Sequence, residues 1–194
     1  MAEIKKRGYA GDIPVYCAHD EIVPVEQLKP NPKNPNRHPE DQVEILSKVI
    51  QAQGWRQPVK VSKRSGFIVS GHGRYAAATL LGCPVPVDYQ DYESEAEELA
   101  DLLADNRIAE LAELDKAALA GIFQDINEAD IDASLSGYTG DEINHLLQTV
   151  SDNLSEDDFD HFFEDAEEEE AAEPAHTDVK ATIKCPHCGG MIEV

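Results

Sequence analysis

The chain has 194 residues, with 16 Lys/Arg against 39 Asp/Glu and a formal net charge of −23. That acidity is one-sided: residues 1–92 hold 12 basic and 10 acidic side chains, residues 93–194 hold 4 and 29, so only the first half could meet nucleic acid. No apolar run approaches the ~18 residues of a bilayer span. The opening MAEIKKRGYAGDIPVY is charged and lacks the apolar segment of a secretory signal, which predicts a cytoplasmic protein whose four cysteines stay reduced.

Basic clusters mark the first half at Lys5-Lys6-Arg7 and again at Lys63-Arg64. Cys17 falls in an expected β-run, and Cys83 in the turn before Val85; both read as small buried hydrophobes. The segment 28-LKPNPKNPNRH-38 packs three Asn (Asn31, Asn34, Asn36), three Pro, Arg37 and His38 into eleven residues. Prolines hold such a loop extended, while the amides and basic groups offer donors at fixed positions. A solvated turn is the alternative reading. Val43, Ile45, Leu46, Val49 and Ile50 then predict an amphipathic helix, with Glu40, Asp41 and Glu44 as capping acids at its start. Gly54-Trp55-Arg56-Gln57-Pro58-Val59 leads into a strand.

Residues 66–82, GFIVSGHGRYAAATLLG, are the most informative stretch. A β-rich run at 67–69 breaks into Ser70-Gly71-His72-Gly73-Arg74, and an alanine-rich helix begins at once. Such a turn aims free backbone N–H groups and the positive end of a helix dipole at whatever lies in front of it. The two glycines allow close approach, and Arg74 adds a planar fork suited to phosphate.

Taken in order, these segments resemble the ParB/sulfiredoxin superfamily. The pattern is L-x-P-N-P-x-N-P, a helix, G-W-R-Q-P-V into a strand, the G-x-x-R turn with its helix, Leu81-Gly82, and a closing strand at Val85-Pro86-Val87. The resemblance covers about residues 20–92. Partition ParB proteins usually read G-E-R-R where this chain has Gly71-His72-Gly73-Arg74, so His72 replaces an acid and Gly73 an arginine. Sulfiredoxins carry their reactive cysteine where His72 stands, which excludes cysteine-sulfinate repair. The G-H-G-R wording is similar to stand-alone ParB-domain proteins of phages and mobile elements, often found near DNA methyltransferases.

Further along, Leu99, Leu102, Leu103, Ile108 and Leu111 predict a helix over 94–113 with that stripe inward, capped by Ser94 and Glu97. Asp105-Asn106-Arg107 interrupts the stripe, and A-D-N-R-x-A-E-L resembles a run of the phage-type proteins. It is either a polar patch facing the nucleotide cleft or a partner, or an ordinary solvated face. A helix over 115–127 uses Leu119, Ile122, Phe123 and Ile126 inward; a turn follows at 131–138, and a last helix opens at Gly140. Partition ParB proteins hold a helix-turn-helix here, yet no Lys or Arg occurs between Lys116 and Lys180. DNA affinity needs cations against phosphate, so no DNA reader is assigned.

Residues 151–173 carry 12 acidic side chains in 23 positions and predict disorder, as a solubilising linker or as a DNA mimic for the protein's own cleft. Cys185-Pro186-His187-Cys188-Gly189-Gly190 reads as a zinc-ribbon knuckle with Cys185 and Cys188 as thiolate ligands of Zn2+. His176, His187 or a second chain in a homodimer would complete the site; a metal-free knuckle is the alternative.

The expected fold class is α+β: a small ParB/sulfiredoxin-like mixed sheet with helices, then an α-helical segment, a disordered acidic linker and a short zinc-ribbon-like β-hairpin. The boundaries are an N-terminal extension 1–19, the ParB-like domain 20–92, the helical extension 93–150, the linker 151–176 and the knuckle 177–194. In the expected chemistry a nucleoside triphosphate, with Mg2+ where required, lies between the two polar segments. Ser70, Gly71, His72, Gly73 and Arg74 cradle its phosphates; Asn31, Asn34 and Arg37 orient the nucleotide or its metal; Gln57 contacts base or phosphate. His72 is the candidate base or phosphate acceptor beside Arg74. The resemblance implies phosphate chemistry, and three readings follow from it. The first is a nucleotide-binding, DNA-associated module in phage or plasmid DNA handling or modification. The second is a nuclease or NTP-dependent phosphotransferase, and the third a scaffold recruiting a DNA methyltransferase.

Overall fold

A computed structural model describes residues 5–129, 131–153, 182–184 and 191–193, with side chains through residue 151. The chain divides into two units, Met1–Val150 and Ser151–Val194.

In the first unit a two-stranded ribbon, β1 (Gly8–Ala10) and β2 (Ile13–Val15), precedes a four-stranded mixed sheet. The sheet is built from β3 (Glu21–Val23), β4 (Val59–Ser62), β5 (Ile68–Ser70) and β6 (Val85–Gln90), in the order β3-β6-β4-β5. β3 runs antiparallel to β6, β6 parallel to β4, and β4 antiparallel to β5. The parallel pair requires a crossover, and α2 (His72–Leu81) supplies it after the β4–β5 hairpin. α1 (Glu40–Gln53) packs on α2 beside the sheet. Val59, Ile68, Val85 and Val87 are wholly buried with Ala77 and Ala78 from α2. Small alanines on that helix face let it lie close to the β-branched sheet.

The opening ribbon belongs to the same core: Ala10 and Val15 are fully buried, so residues 8–15 of the expected extension pack with the domain. Trp55 holds it in place. Its backbone N–H donates to Pro14 O at 2.8 Å, and its backbone carbonyl accepts from the Tyr16 and Cys17 N–H groups. Gly54 makes that approach possible, with φ +76 and no side chain; a Cβ there would meet Pro14 O at 2.6 Å. Cys17 and Cys83 are free, buried thiols, as expected.

The remaining elements of this unit are a 3-10 turn at Val25–Gln27, α3 (Glu95–Glu110), α4 (Lys116–Glu128), a 3-10 turn at Ala133–Ser136 and α5 (Gly140–Asn153). Ser94 caps α3 by accepting from Glu97 N–H, while Asp115 caps α4 with two such bonds. The expected apolar stripe of α3 is corrected by the structure. Leu102 is buried, but Leu103, Ile108 and Leu111 are each more than half exposed. α3 docks instead through a polar face: Glu98, only 2% exposed, accepts from Ser62 Oγ (2.8 Å) and Ser65 Oγ (2.7 Å) and pairs with Arg64 (3.1 Å). In α4, Phe123 turns inward against Tyr138, at 5.3 Å between ring centroids, whereas Ile122 is exposed. α5 continues to Asn153, three residues into the segment read as a linker.

In the second unit, β7 (Thr182–Lys184) and β8 (Met191–Glu193) pair antiparallel with Lys184 opposite Met191. Cys185 and Cys188, and most of the acidic segment, lie outside the described residues.

Candidate phosphate-binding cleft

The turn between β5 and α2 is built as its residue order predicts. β5 delivers Ser70, and Gly71 turns the chain with φ +91, a left-handed conformation open to glycine at little cost. α2 then starts at His72 with no side-chain cap and no acidic residue in its first turn; its first intrahelical bond runs from Tyr75 N–H to Gly71 O. Three consecutive N–H groups at 72–74 thus precede the helical ladder at the positive end of a ten-residue helix. Ser94 and Asp115 fill that position in α3 and α4; α1 also lacks a side-chain cap but carries Glu40 and Asp41 in its first turn, whereas α2 has neither and opens beside a cavity.

That cavity, of about 190 Å³, is lined by residues from four parts of the chain. Ser70–Arg74 form its floor, Asn34 and His38 come from the Asn/Pro loop, Gln42 and Leu46 from α1, and Asp105 and Asn106 from α3.

Arg74 is the dominant charge. Its Nη1 donates to Gln57 Oε1 at 2.8 Å, its Nε has no hydrogen-bond partner, and no carboxylate among the described residues pairs with it. The guanidinium lies over Gly71, where a Cβ would come within 2.9 Å of Nη2. Burial pushes Arg74 below its ordinary value, offset in part by Asp105, yet a guanidinium stays charged throughout the physiological range. A half-buried cation with a spare donor calls for an anion.

His72 is engaged differently from its expected role as base. Its Nε2 accepts the Asn31 N–H at 3.2 Å, which puts the ring proton on Nδ1. Burial, reinforced by His38, lowers its pKa to about 4. The ring is therefore neutral, with its basic nitrogen already committed, and works as a strut between loop and turn. A general base or phosphate acceptor needs a free nitrogen, and Nε2 is not free.

The other expected residues divide. Asn34 lines the cavity, with its Oδ1 accepting from Asn36 N–H at 3.2 Å. Asn31 is buried and spends its Oδ1 on Lys33 N–H at 2.9 Å, so its side chain shapes the loop and does not face the cavity. Arg37 is exposed and does not line the cavity either. Gln57 reaches the cleft only by holding Arg74. Ser70 donates to Asp105 Oδ2 at 2.7 Å. The acidic and amide groups of the A-D-N-R run thus face the cleft, while Arg107 points to Glu110 at 2.9 Å. His38, Gln42 and Leu46 were not singled out as site residues. Their only sequence signal was His38 in the polar loop, and Gly73 admits it: a Cβ at Gly73 would lie 3.3 Å from His38 Nδ1.

Comparison with known proteins agrees with this architecture. The family described as ParB N-terminal domain matches residues 15–107. The Escherichia coli K12 protein described as ParB-like nuclease domain-containing protein YnaK is 38% identical over 58 residues, a match spanning 30% of this chain and 66% of that relative. The fold is similar to the C-terminally truncated chromosome-partitioning protein ParB of Caulobacter crescentus complexed with CTP-γ-S. That structure superposes with a TM-score of 0.58 at 22% identity, over 75% of this chain and 85% of the other. Residues 15–107 of this chain thus match the ParB N-terminal domain family, in agreement with the fold they adopt.

Proposed function

We propose that the chain binds a nucleoside triphosphate with its phosphates against the Ser70–Arg74 turn and acts as a nucleotide-binding, DNA-associated module in phage or plasmid DNA handling or modification. The observation that carries the reading is Arg74: a half-buried guanidinium with an unpartnered Nε, set beside an uncapped helix start. Free N–H groups and a fixed cationic fork stabilise a polyanion without reorganising. The fold's likeness to a ParB complexed with CTP-γ-S supports the same ligand class.

Mg2+ fits the donors present. Asp105 offers a carboxylate and Asn106 an amide oxygen at the cavity wall, and Mg2+ is commonly held by one or two protein oxygens together with substrate phosphates and water. It would supply charge neutralisation between phosphate oxygens and Asp105. The chain's own residues do the rest: Gln57 orients Arg74, Asp105 holds the Ser70 hydroxyl, and His72 ties the Asn31 loop to the turn.

Isothermal titration of the full chain with each ribonucleoside triphosphate and its monophosphate, in Mg2+, tests the proposal. Saturable binding that requires the β- and γ-phosphates is expected. Equal affinity for mono- and triphosphates, or no binding at millimolar ligand, would sink it. Phosphate release and DNA nicking followed in the same samples separate a binding module from a nuclease or phosphotransferase.

A further inference from the structure

We propose that the outer face of the β1–β2 ribbon, with Arg56 beside it, is a contact surface for single-stranded nucleic acid. This rests on the DNA-associated reading and names the surface that would serve it. Ribbon register sets Tyr9 opposite Pro14 and Gly8 opposite Val15, and Arg7 N–H bonds Val15 O. Alternation along the strands turns Gly8 and Ala10 inward and leaves Arg7, Tyr9, Pro14 and Tyr16 on the other face. Consistent with that, a Cβ at Gly8 would meet Ile22, and one at Gly54 would meet both Pro14 and Tyr16.

Basic and aromatic groups interleave here. Tyr9 is 55% exposed, with Lys6 Nζ 3.2 Å from its hydroxyl and 5.5 Å from its ring centroid. The Arg56 guanidinium stands 4.2 Å from the Tyr16 ring centroid. Some cations of the domain are neutralised: Lys33, Lys60, Lys63 and Arg64 each pair with a carboxylate, on Glu95, Asp101, Asp91 and Glu98. Those of this face, Lys5, Lys6, Arg7 and Arg56, like Lys29, Arg37, Lys48, Arg74 and Lys116, form no ion pair among the described residues. In a chain of net charge −23, unpaired cations around the exposed Tyr9 ring mark a surface for a polyanion.

The rings decide which polyanion. A duplex presents phosphates to Lys and Arg but keeps its bases stacked, so an exposed tyrosine face adds nothing to it. A single strand can lay a base on Tyr9 while Lys6, Arg7 and Arg56 take adjacent phosphates.

The test is fluorescence anisotropy of the full chain with a labelled oligothymidylate about fifteen nucleotides long, and with a duplex of equal length, at about 50 and 200 mM salt. The single strand is expected to bind more tightly than the duplex and to weaken as salt rises. Tyr9→Ala should cost about 5- to 50-fold in affinity, Tyr9→Phe little, and Lys6→Ala with Arg7→Ala should flatten the salt dependence. Absent oligothymidylate binding, equal preference for duplex, or affinity unchanged in Tyr9→Ala would overturn the assignment, as would equal losses in Tyr9→Phe and Tyr9→Ala. Triphosphate titrations on the same variants keep the two proposals apart. Lost triphosphate binding with oligonucleotide binding retained fails the cleft alone, and the reverse fails this surface alone.

Discussion

Asn31 and His72 stand 41 residues apart in the chain and meet through one hydrogen bond, Asn31 N–H to His72 Nε2 at 3.2 Å. That bond joins the Asn/Pro loop to the first residue of α2, so both walls of the cleft are fixed relative to each other. It also needs a neutral imidazole, because a protonated ring has no lone pair to offer. Burial, and after it the neighbouring His38, keeps the ring in that neutral form by lowering its pKa to about 4 from an ordinary 6.5.

Stability should therefore depend on pH through His72. The folded value lies below the unfolded one, so between pH 6.5 and 4 the unfolded chain takes up the proton first. The stabilisation is complete above pH 6.5 and declines as the pH falls toward 4. Against His72→Gln, which can accept the same N–H without titrating, the wild type should lose about 1–2 kcal/mol across that window, a figure discounted for the ring's partial exposure. Urea midpoints at pH 7.5 and 4.5 measure it; parallel curves for the two proteins would contradict the role given to His72.

Arg74→Ala should weaken triphosphate affinity by about 1.5–3 kcal/mol, the range for hydrogen bonds to charged groups. Arg74→Lys should recover little, since a lysine cannot both hold Gln57 and present a second donor in the plane. Gln57→Ala should cost less than Arg74→Ala, because it frees the guanidinium without removing it. Titration calorimetry orders the three, and an Arg74→Lys protein as good as wild type would mean a point charge suffices.

Gly71→Ala should harm both fold and site. A residue with φ +91 strains any side chain, and the new methyl group would sit 2.9 Å from Arg74 Nη2. About 1–3 kcal/mol of stability is expected to go, together with triphosphate binding as the guanidinium is pushed aside. Thermal melts and titration of the same sample show whether both fall. Affinity surviving in a destabilised protein would mean Arg74 is not the grip.

How much of this could be read from residue order depends on how local each feature is. The Ser70–Arg74 turn was legible because strand, glycine and helix start are consecutive, and a helix without a Ser, Thr, Asp or Asn cap announces itself. Asp105 and Asn106 were recognisable as an interruption of a stripe, but their place against Ser70 depends on how α3 docks. That docking was misleading: the run of leucines suggested an apolar inner face, whereas Glu98, Leu102 and Asp105, spaced at helical intervals, form the face that meets the β4–β5 hairpin. A buried carboxylate satisfied by two serines and an arginine leaves no periodic trace. His38, Gln42 and Leu46 enter the cavity only because α1 crosses α2 at Gly73, a contact set by the absence of a side chain.

Asp105 supplies the most discriminating prediction, because its effect should change sign with the metal. Its carboxylate lies at the wall of the cavity proposed for phosphates, and without a divalent cation it would repel them. Asp105→Asn removes that repulsion while keeping an oxygen for the Ser70 hydroxyl, so in EDTA the variant should bind triphosphate as well as wild type or better. With Mg2+ present the Asp105 carboxylate would help to hold the ion, and the substitution should then weaken binding by about tenfold, or about 1.4 kcal/mol. Paired titrations in EDTA and in millimolar Mg2+ read the crossing directly. Curves for wild type and Asp105→Asn that shift in the same direction in both buffers would assign Asp105 to holding Ser70 alone and leave the metal to the phosphates.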